Sequence, residues 1–198
     1  MAVPVGGLAV ATFITLLLLP VFYTLYTIAV LDLMIVTWAT EVTRYRIQNT
    51  LWWIGRTGID GIREDTVPYV LRRFWRDWSA AIHTRYPAFK MVGEVFDSDP
   101  ALPSFFQGGR AKFDGIDTGL DSVFYFPLQD TITRVFTGKA RLRELPKMLA
   151  HDSLYADPAR LVTFLGLHDM PRFLHRQGAT AQDLKQAFTF LLTTRGTP

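Results

Sequence analysis

Three acidic side chains in this chain stand where short apolar runs end: Asp65 closing IDGIRED, Glu94 within KMVGEVF and Asp169 just past LVTFLGLH. Their type and placement fit acid–base work on an acetal. One carboxylate attacks the anomeric carbon, another donates a proton to the leaving oxygen, and both act on a cation-like transition state. Arg63 lies two residues before Asp65, so on a strand the two point to one face, and a cation beside a carboxylate favours its ionised form. His168 directly precedes Asp169, and a neutral imidazole can donate to a sugar hydroxyl. Taken singly, each acid has a plainer role as a helix N-cap or turn former; the conjunction with Arg63 and His168 is what favours a site. A metal centre is the rival chemistry. It would want close ligand spacing such as HExxH, and none of the four His residues supplies it.

Such a site needs elements that bring distant residues to one place. Residues 59–65, 90–96, 122–126 and 161–165 read as short strands, and 41–56, 69–86, 127–137, 141–150 and 181–192 as helices. In the 41–56 helix the spacing puts Val42, Tyr45, Asn49 and Trp52 on one face, and Gly58 ends it. In the next helix Leu71, Phe74, Trp75, Trp78 and Ile82 keep a 3–4 spacing. The helical spacing of Trp52, Trp53, Trp75 and Trp78 predicts core packing rather than exposed sugar platforms. Residues 97–121 are loop-rich, with Asp-Pro, Gly-Gly and Asp-Gly signals. Strands alternating with helices indicate a parallel sheet with helical crossovers. In barrels built this way, catalytic residues gather at the C-terminal rim of the strands.

With 49% apolar and 14% aromatic residues, the chain buries a core rather than remaining disordered. It has no cysteine, which excludes disulfides and thiolate metal sites and leaves the compartment open. The net charge of +3 comes from interleaved signs, which gives little support to a nucleic-acid surface. A length of 198 residues suits one ordinary domain, whereas a complete (β/α)8 barrel typically needs about 250. Residues 1–31 carry no charge. The stretch GGLAVATFITLLLLPVFYTLYTIAVL is long enough to cross a bilayer, for which about 20 apolar residues suffice. A cleaved signal peptide fits poorly, because no positive segment precedes the apolar run; a buried core helix is the bland alternative.

Two resemblances add to this reading. GIDGIREDTVPYV at 58–70, MVGEVF at 91–96 and FLGLHDMPRF at 164–173 resemble, in order and spacing, the strand-four, strand-five and strand-seven motifs of the α-amylase family of glycoside hydrolases. FTFLLTTRGTP at 188–198 looks like the approach to strand eight, and IQNTLWWIGRTGIDGIREDT is close to the neopullulanase and cyclomaltodextrinase-like branch. The resemblance covers residues 31–198. It implies an incomplete (β/α)8 barrel of the strand-four to strand-eight region, and a retaining hydrolase or transglycosylase acting on α-1,4 and, more widely, α-1,6 glucans. On this resemblance Asp65 is the nucleophile, Glu94 the acid/base and Asp169 the third carboxylate, with Arg63, His168 and Arg172 as substrate-binding residues. No organic cofactor is implied; calcium occurs in the family, and no site for it is identified here. Separately, residues 3–26 resemble the last transmembrane helix of resistance-nodulation-division efflux transporters, without the intramembrane charges through which those transporters work. The chain thus divides into a transmembrane-like helix at 1–30 and a partial catalytic barrel at 31–198, with a seam near 27–33 and membrane contact through residues 3–30.

Several departures from the family pattern stand out. The strand-three motif ending in Asn-His is absent, Leu167 stands where many relatives have Asn, and Pro68 and Tyr69 occupy the place of a Lys-His pair. The expectation is therefore an inactive fragment when these residues stand alone. A membrane-transport fragment and a non-catalytic glucan-binding module are the alternative readings.

Overall fold

Between Val21 and Ile54 the sequence holds neither glycine nor proline, and the backbone forms one helix, α1 (Leu19–Thr57). Pro20 sits in its first turn, where a missing N–H costs nothing. Gly58, at a φ of 68°, ends it by donating its N–H to the Ile54 carbonyl at 2.9 Å. The computed structural model describes residues 19–198 and separates into two compact units, Met1–Asn49 and Thr50–Pro198. Most of the transporter-like stretch at 3–26 lies outside the described residues. Of the first unit, the side chains from Thr24 to Met34 are exposed, apart from a half-buried Val30.

The second unit is built on parallel strands β1 (Gly61–Glu64), β2 (Lys90–Gly93) and β3 (Ser122–Val123), in that order across the sheet. Gly61 to Glu64 register on Lys90 to Gly93, and Val92 and Gly93 on Ser122 and Val123. The parallel run continues as single bridges, Phe124 to Val162 and Val162 to Thr197. The expected fourth strand at 161–165 is thus present only as these bridges. Val162 N–H bonds the Val123 carbonyl at 3.1 Å and its own carbonyl accepts from Tyr125 N–H at 2.8 Å, while Thr163 N–H bonds the Thr197 carbonyl at 2.9 Å and Thr197 N–H the Leu161 carbonyl at 2.8 Å. The third strand is shorter than expected because Phe126 already opens a helix, with Pro127 in its first turn.

Crossover segments carry α2 (Arg72–Arg85), α3 (Ala101–Phe106), α4 (Phe126–Phe136), α5 (Glu144–Ala150) and α6 (Ala181–Thr193). This alternation is a partial (β/α)8 barrel. The core lies between sheet and helices: Met91, Val123 and Leu161 are fully buried, as are Ile82 and Ile132. Trp75 and Trp78 of α2 are buried as their spacing predicts, with ring centroids 5.6 Å apart. Their indole N–H groups stay satisfied, bonding the Val67 carbonyl and the Thr50 hydroxyl at 3.0 Å each. Each such ring removes about 150–250 Å² from water, a gross gain of roughly 4–6 kcal/mol.

Trp52 and Trp53 overturn the same expectation. Both are exposed and pack edge-on against each other at 4.8 Å. Val42 and Tyr45 are exposed too, and the residue that reaches the core from this end of α1 is Ile54. Helical period fixes which residues share a face; which face is covered depends on the surrounding elements.

The loop after α3 is held by Arg72 of α2. That buried guanidinium pairs with Asp114, donates to the Arg110 carbonyl at 3.0 Å and lies 3.9 Å over the Phe105 ring.

Candidate active site

Arg63 is on β1 in register with Val92 on β2. In a parallel pair, opposite residues point to the same side, and the face repeats every second residue. Arg63 with Asp65, and Val92 with Glu94, are therefore set to one side of the sheet. Two cross-ties fix the strand ends. Glu94 N–H bonds the Glu64 carbonyl at 2.8 Å, and Val67 N–H bonds the Glu94 carbonyl at 3.1 Å. Between those ties the chain turns at Thr66, whose φ of 51° makes it the one non-glycine with positive φ among the described residues. A β-branched residue in that region is strained, and the turn it forms carries Asp65 over the end of β2.

One guanidinium touches all three acids. Arg63 Nη2 donates to Glu94 Oε1 at 2.6 Å and lies 4.0 Å from Asp169 Oδ2, while Nη1 lies 3.7 Å from Asp65 Oδ2. Because Glu94 and Asp169 meet the same nitrogen, they are no further apart than two polar contacts laid end to end. His168 Nε2 is 3.1 Å from Asp169 Oδ2, which holds both on the open side of the cluster. The closest approach of Arg63 is thus to Glu94 rather than, as the sequence suggests, to Asp65. Solvation explains this. The Glu94 side chain is 6% exposed and depends on a protein donor, whereas Asp65 at 63% is served by water.

Burial raises the pKa of Glu94, and the neighbouring Asp65 carboxylate raises it further. The Arg63 guanidinium and the Thr66 backbone N–H work in the opposite direction without cancelling the rise. The arrangement therefore sets two carboxyl groups in contrasting surroundings: one desolvated and proton-retaining, one solvated. That separation of environments is how paired carboxyls divide acid and nucleophile roles.

An aromatic floor lies beside the acids. Phe124, following β3, lies 6.0 Å from the Arg63 guanidinium carbon. Phe164 packs against it at 5.7 Å and against Phe126 at 5.1 Å, and Phe96 against Phe126 at 4.4 Å. Residue-type reasoning overlooked this floor; the alternation in Ser122–Phe126 and the Phe after Leu161–Thr163 were the available signal. Arg172 is exposed at the start of a short 3-10 turn (Phe173–His175) and pairs with none of the three acids. Among the described residues, no group of three or more His, Asp or Glu side chains is placed to hold a metal ion.

Parallel strands whose C-terminal ends gather a buried glutamate, two aspartates and a shared arginine define a (β/α)8-type acidic site. Residues 22–198 match the model of the α-amylase catalytic domain. The chain belongs to the α-amylase catalytic-domain family. It is 34% identical over 154 residues to a β/α-amylase of Paenibacillus polymyxa, covering 74% of this chain and 12% of that protein. It is 30% identical over 163 residues to a maltogenic α-amylase of Bacillus acidopullulyticus, covering 80% of this chain and 26% of the relative. The α-amylase of Geobacillus thermoleovorans, solved with acarbose, superimposes with a TM-score of 0.68 at 30% identity, over 80% of this chain and 35% of that one. The chain thus spans 12% and 26% of the two curated relatives' length.

Proposed function

We propose that this chain supplies the catalytic carboxylates of a retaining glycoside hydrolase or transglycosylase that acts on α-1,4-linked glucans and extends to α-1,6 links. Asp65 attacks the anomeric carbon and forms the covalent glycosyl-enzyme. Glu94 protonates the leaving oxygen and then takes a proton from the incoming water or sugar hydroxyl. Asp169, with His168, binds hydroxyls of the sugar being cleaved and favours its distorted ring. Arg63 orients the two reacting carboxyls, and Arg172 binds substrate further out. The catalytic part begins near residue 31, with its seam to the apolar stretch at 27–33.

The observation that carries this reading is the shared guanidinium. Retaining chemistry needs two carboxyls about 5–5.5 Å apart, and a single Arg63 in reach of both favours that spacing. The sugar-binding side remains open, with Asp169 50% exposed, so the site can admit a glucan analogue; the expected lack of turnover rests on the departures from the family pattern at Leu167, Pro68 and Tyr69. Calorimetric titration with acarbose tests the assignment. Binding is expected, weakened roughly tenfold or more by Asp65→Ala and by Asp169→Ala. Binding unaffected by either change would reject the site. Robust maltodextrin or pullulan hydrolysis abolished by Asp65→Asn would uphold the roles and overturn the expected inactivity.

Membrane attachment through residues 3–30 is a second role, favoured by one observation. The helix segment Thr24–Thr57 is long and apolar enough to cross a membrane, and the apolar side chains from Leu25 to Met34 are largely exposed. A helix surface dominated by exposed apolar side chains, with Asp32 the one charge between Leu25 and Met34, suits lipid over its apolar part. Flotation with phosphatidylcholine vesicles that survives alkaline carbonate is expected; recovery of the chain in the soluble fraction would count against it.

A further inference from the structure

We propose that Thr66 is a positioning residue for Asp65: a one-residue bulge at the end of β1, fixed in the left-handed region, sets where that carboxylate stands. The inference rests on the glucan reading of the site.

The bulge is written in the hydrogen bonds. In a regular parallel pair, a residue donates to one carbonyl of the neighbouring strand and accepts from the N–H two residues further along that strand. Glu94 N–H bonds the Glu64 carbonyl at 2.8 Å, which in a regular ladder would bring the Thr66 N–H to the Glu94 carbonyl. Val67 N–H takes that place instead, at 3.1 Å. The first strand thus carries one residue too many, and Asp65 and Thr66 together oppose Glu94. Both ends of the insertion are pinned. Glu64 is paired in the sheet with Gly93. Val67 is fully buried, its carbonyl accepting from the Trp75 indole at 3.0 Å and from Val70 N–H at 3.2 Å. The extra length is taken up at Thr66, with a φ of 51° and a ψ of 37°.

Asp65 has little else to orient it. Its side chain is 63% exposed, and its approach to the Arg63 guanidinium is 3.7 Å, against 2.6 Å for Glu94. The direction of its carboxylate is therefore inherited mainly from the backbone on either side, and bulges beside active sites re-aim side chains in this way. Glycine would adopt the left-handed conformation without strain. Threonine is strained there, but its branched Cβ narrows the torsions open to the turn. The strained residue is thus also the stiff one, and it adjoins the proposed nucleophile.

The test compares wild type, Thr66→Gly and Thr66→Asn in the 198-residue chain, by urea unfolding and by calorimetric titration with acarbose. Thr66→Gly is expected to raise the urea midpoint and yet weaken acarbose roughly tenfold, because a loosened turn misplaces Asp65. Asparagine tolerates the left-handed region while keeping a Cβ, so Thr66→Asn should bind within about threefold of wild type. A purely structural role would move stability and binding in the same direction. Binding by Thr66→Gly equal to wild type overturns this inference alone, as does a Thr66→Gly chain that is both less stable and weaker in binding. An equal loss in Thr66→Asn also overturns it, by assigning the effect to the threonine side chain. A wild-type chain that fails to bind acarbose overturns the glucan reading and this inference together.

Discussion

Replacing Arg63 by Leu should destabilise the fold in a way that grows with pH. Leucine keeps some packing against Phe124, 6.0 Å from the native guanidinium, while removing the cation shared by Glu94, Asp65 and Asp169. Glu94 already holds its proton above the ordinary range because it is buried and next to Asp65, and Arg63 opposes that rise. Without Arg63 the folded-state pKa climbs further, while the unfolded value stays near that of a free glutamate. A carboxyl raised in the folded state contributes stability that is fully present below its unfolded pKa and is lost as pH rises through the folded one. The loss on mutation is therefore small near pH 4 and larger near pH 7.

Its size lies between two limits. Exposed ion pairs contribute about 0–1 kcal/mol, and breaking a fully buried pair costs about 3–5 kcal/mol. With Glu94 at 6% and Arg63 at 33% side-chain exposure, about 2 kcal/mol near neutrality is the reasoned figure. Urea unfolding should then show the midpoint lowered by roughly 1 M at pH 7, with a clearly smaller shift at pH 4. An equal or larger shift at pH 4 would show that Arg63 does not act by holding the buried Glu94 carboxylate ionised.

Trp78→Ala should cost about 3–5 kcal/mol in urea unfolding, since it empties a fully packed site and removes the indole bond to Thr50. Thr66→Gly should stabilise by about 1 kcal/mol in the same assay by relieving the positive φ; destabilisation would show that the Thr side chain, not the backbone, holds the turn. Gly93→Ala should destabilise by about 1–3 kcal/mol, because its Cβ would meet Leu120 at 3.1 Å and Val67 at 3.2 Å. Tyr125, raised to about 12 by burial and by Asp152, should remain a phenol up to that pH. The fold should lose stability as pH climbs from the ordinary phenol range toward it, and the absorbance difference from Tyr125→Phe reports the titration.

How much of this was legible beforehand varies with the physics involved. The β1 and β2 strands and the placement of Asp65 and Glu94 at their ends were readable, because short apolar runs punctuated by glycine and followed by helical spacing carry a strong local signal. Trp75 and Trp78 were readable for the same reason. The partner of Arg63 was not. Two-residue spacing puts Arg63 beside Asp65, but the preference for Glu94 depends on which acid is desolvated, and that is a property of the assembled fold. Nor did helical spacing separate buried Trp78 from exposed Trp53, since period cannot say which face finds cover. The strand at 161–165 shrank to a bridge at Val162 because hydrogen bonding to Thr197 and Val123 occupies only a residue or two on either side. The aromatic floor of Phe124, Phe126 and Phe164 converges from distant segments and leaves little trace in any one of them.

Asp65, Glu94 and Asp169 are proposed to form one glucan-cleaving site in which Glu94 carries the proton. Carboxyl-carbon NMR, following the three side chains through a pH titration with and without acarbose, tests it most directly. Glu94 is expected to ionise above the ordinary glutamate range, and acarbose to move all three signals together. A Glu94 that ionises like a solvated glutamate, or three signals indifferent to acarbose, would contradict it.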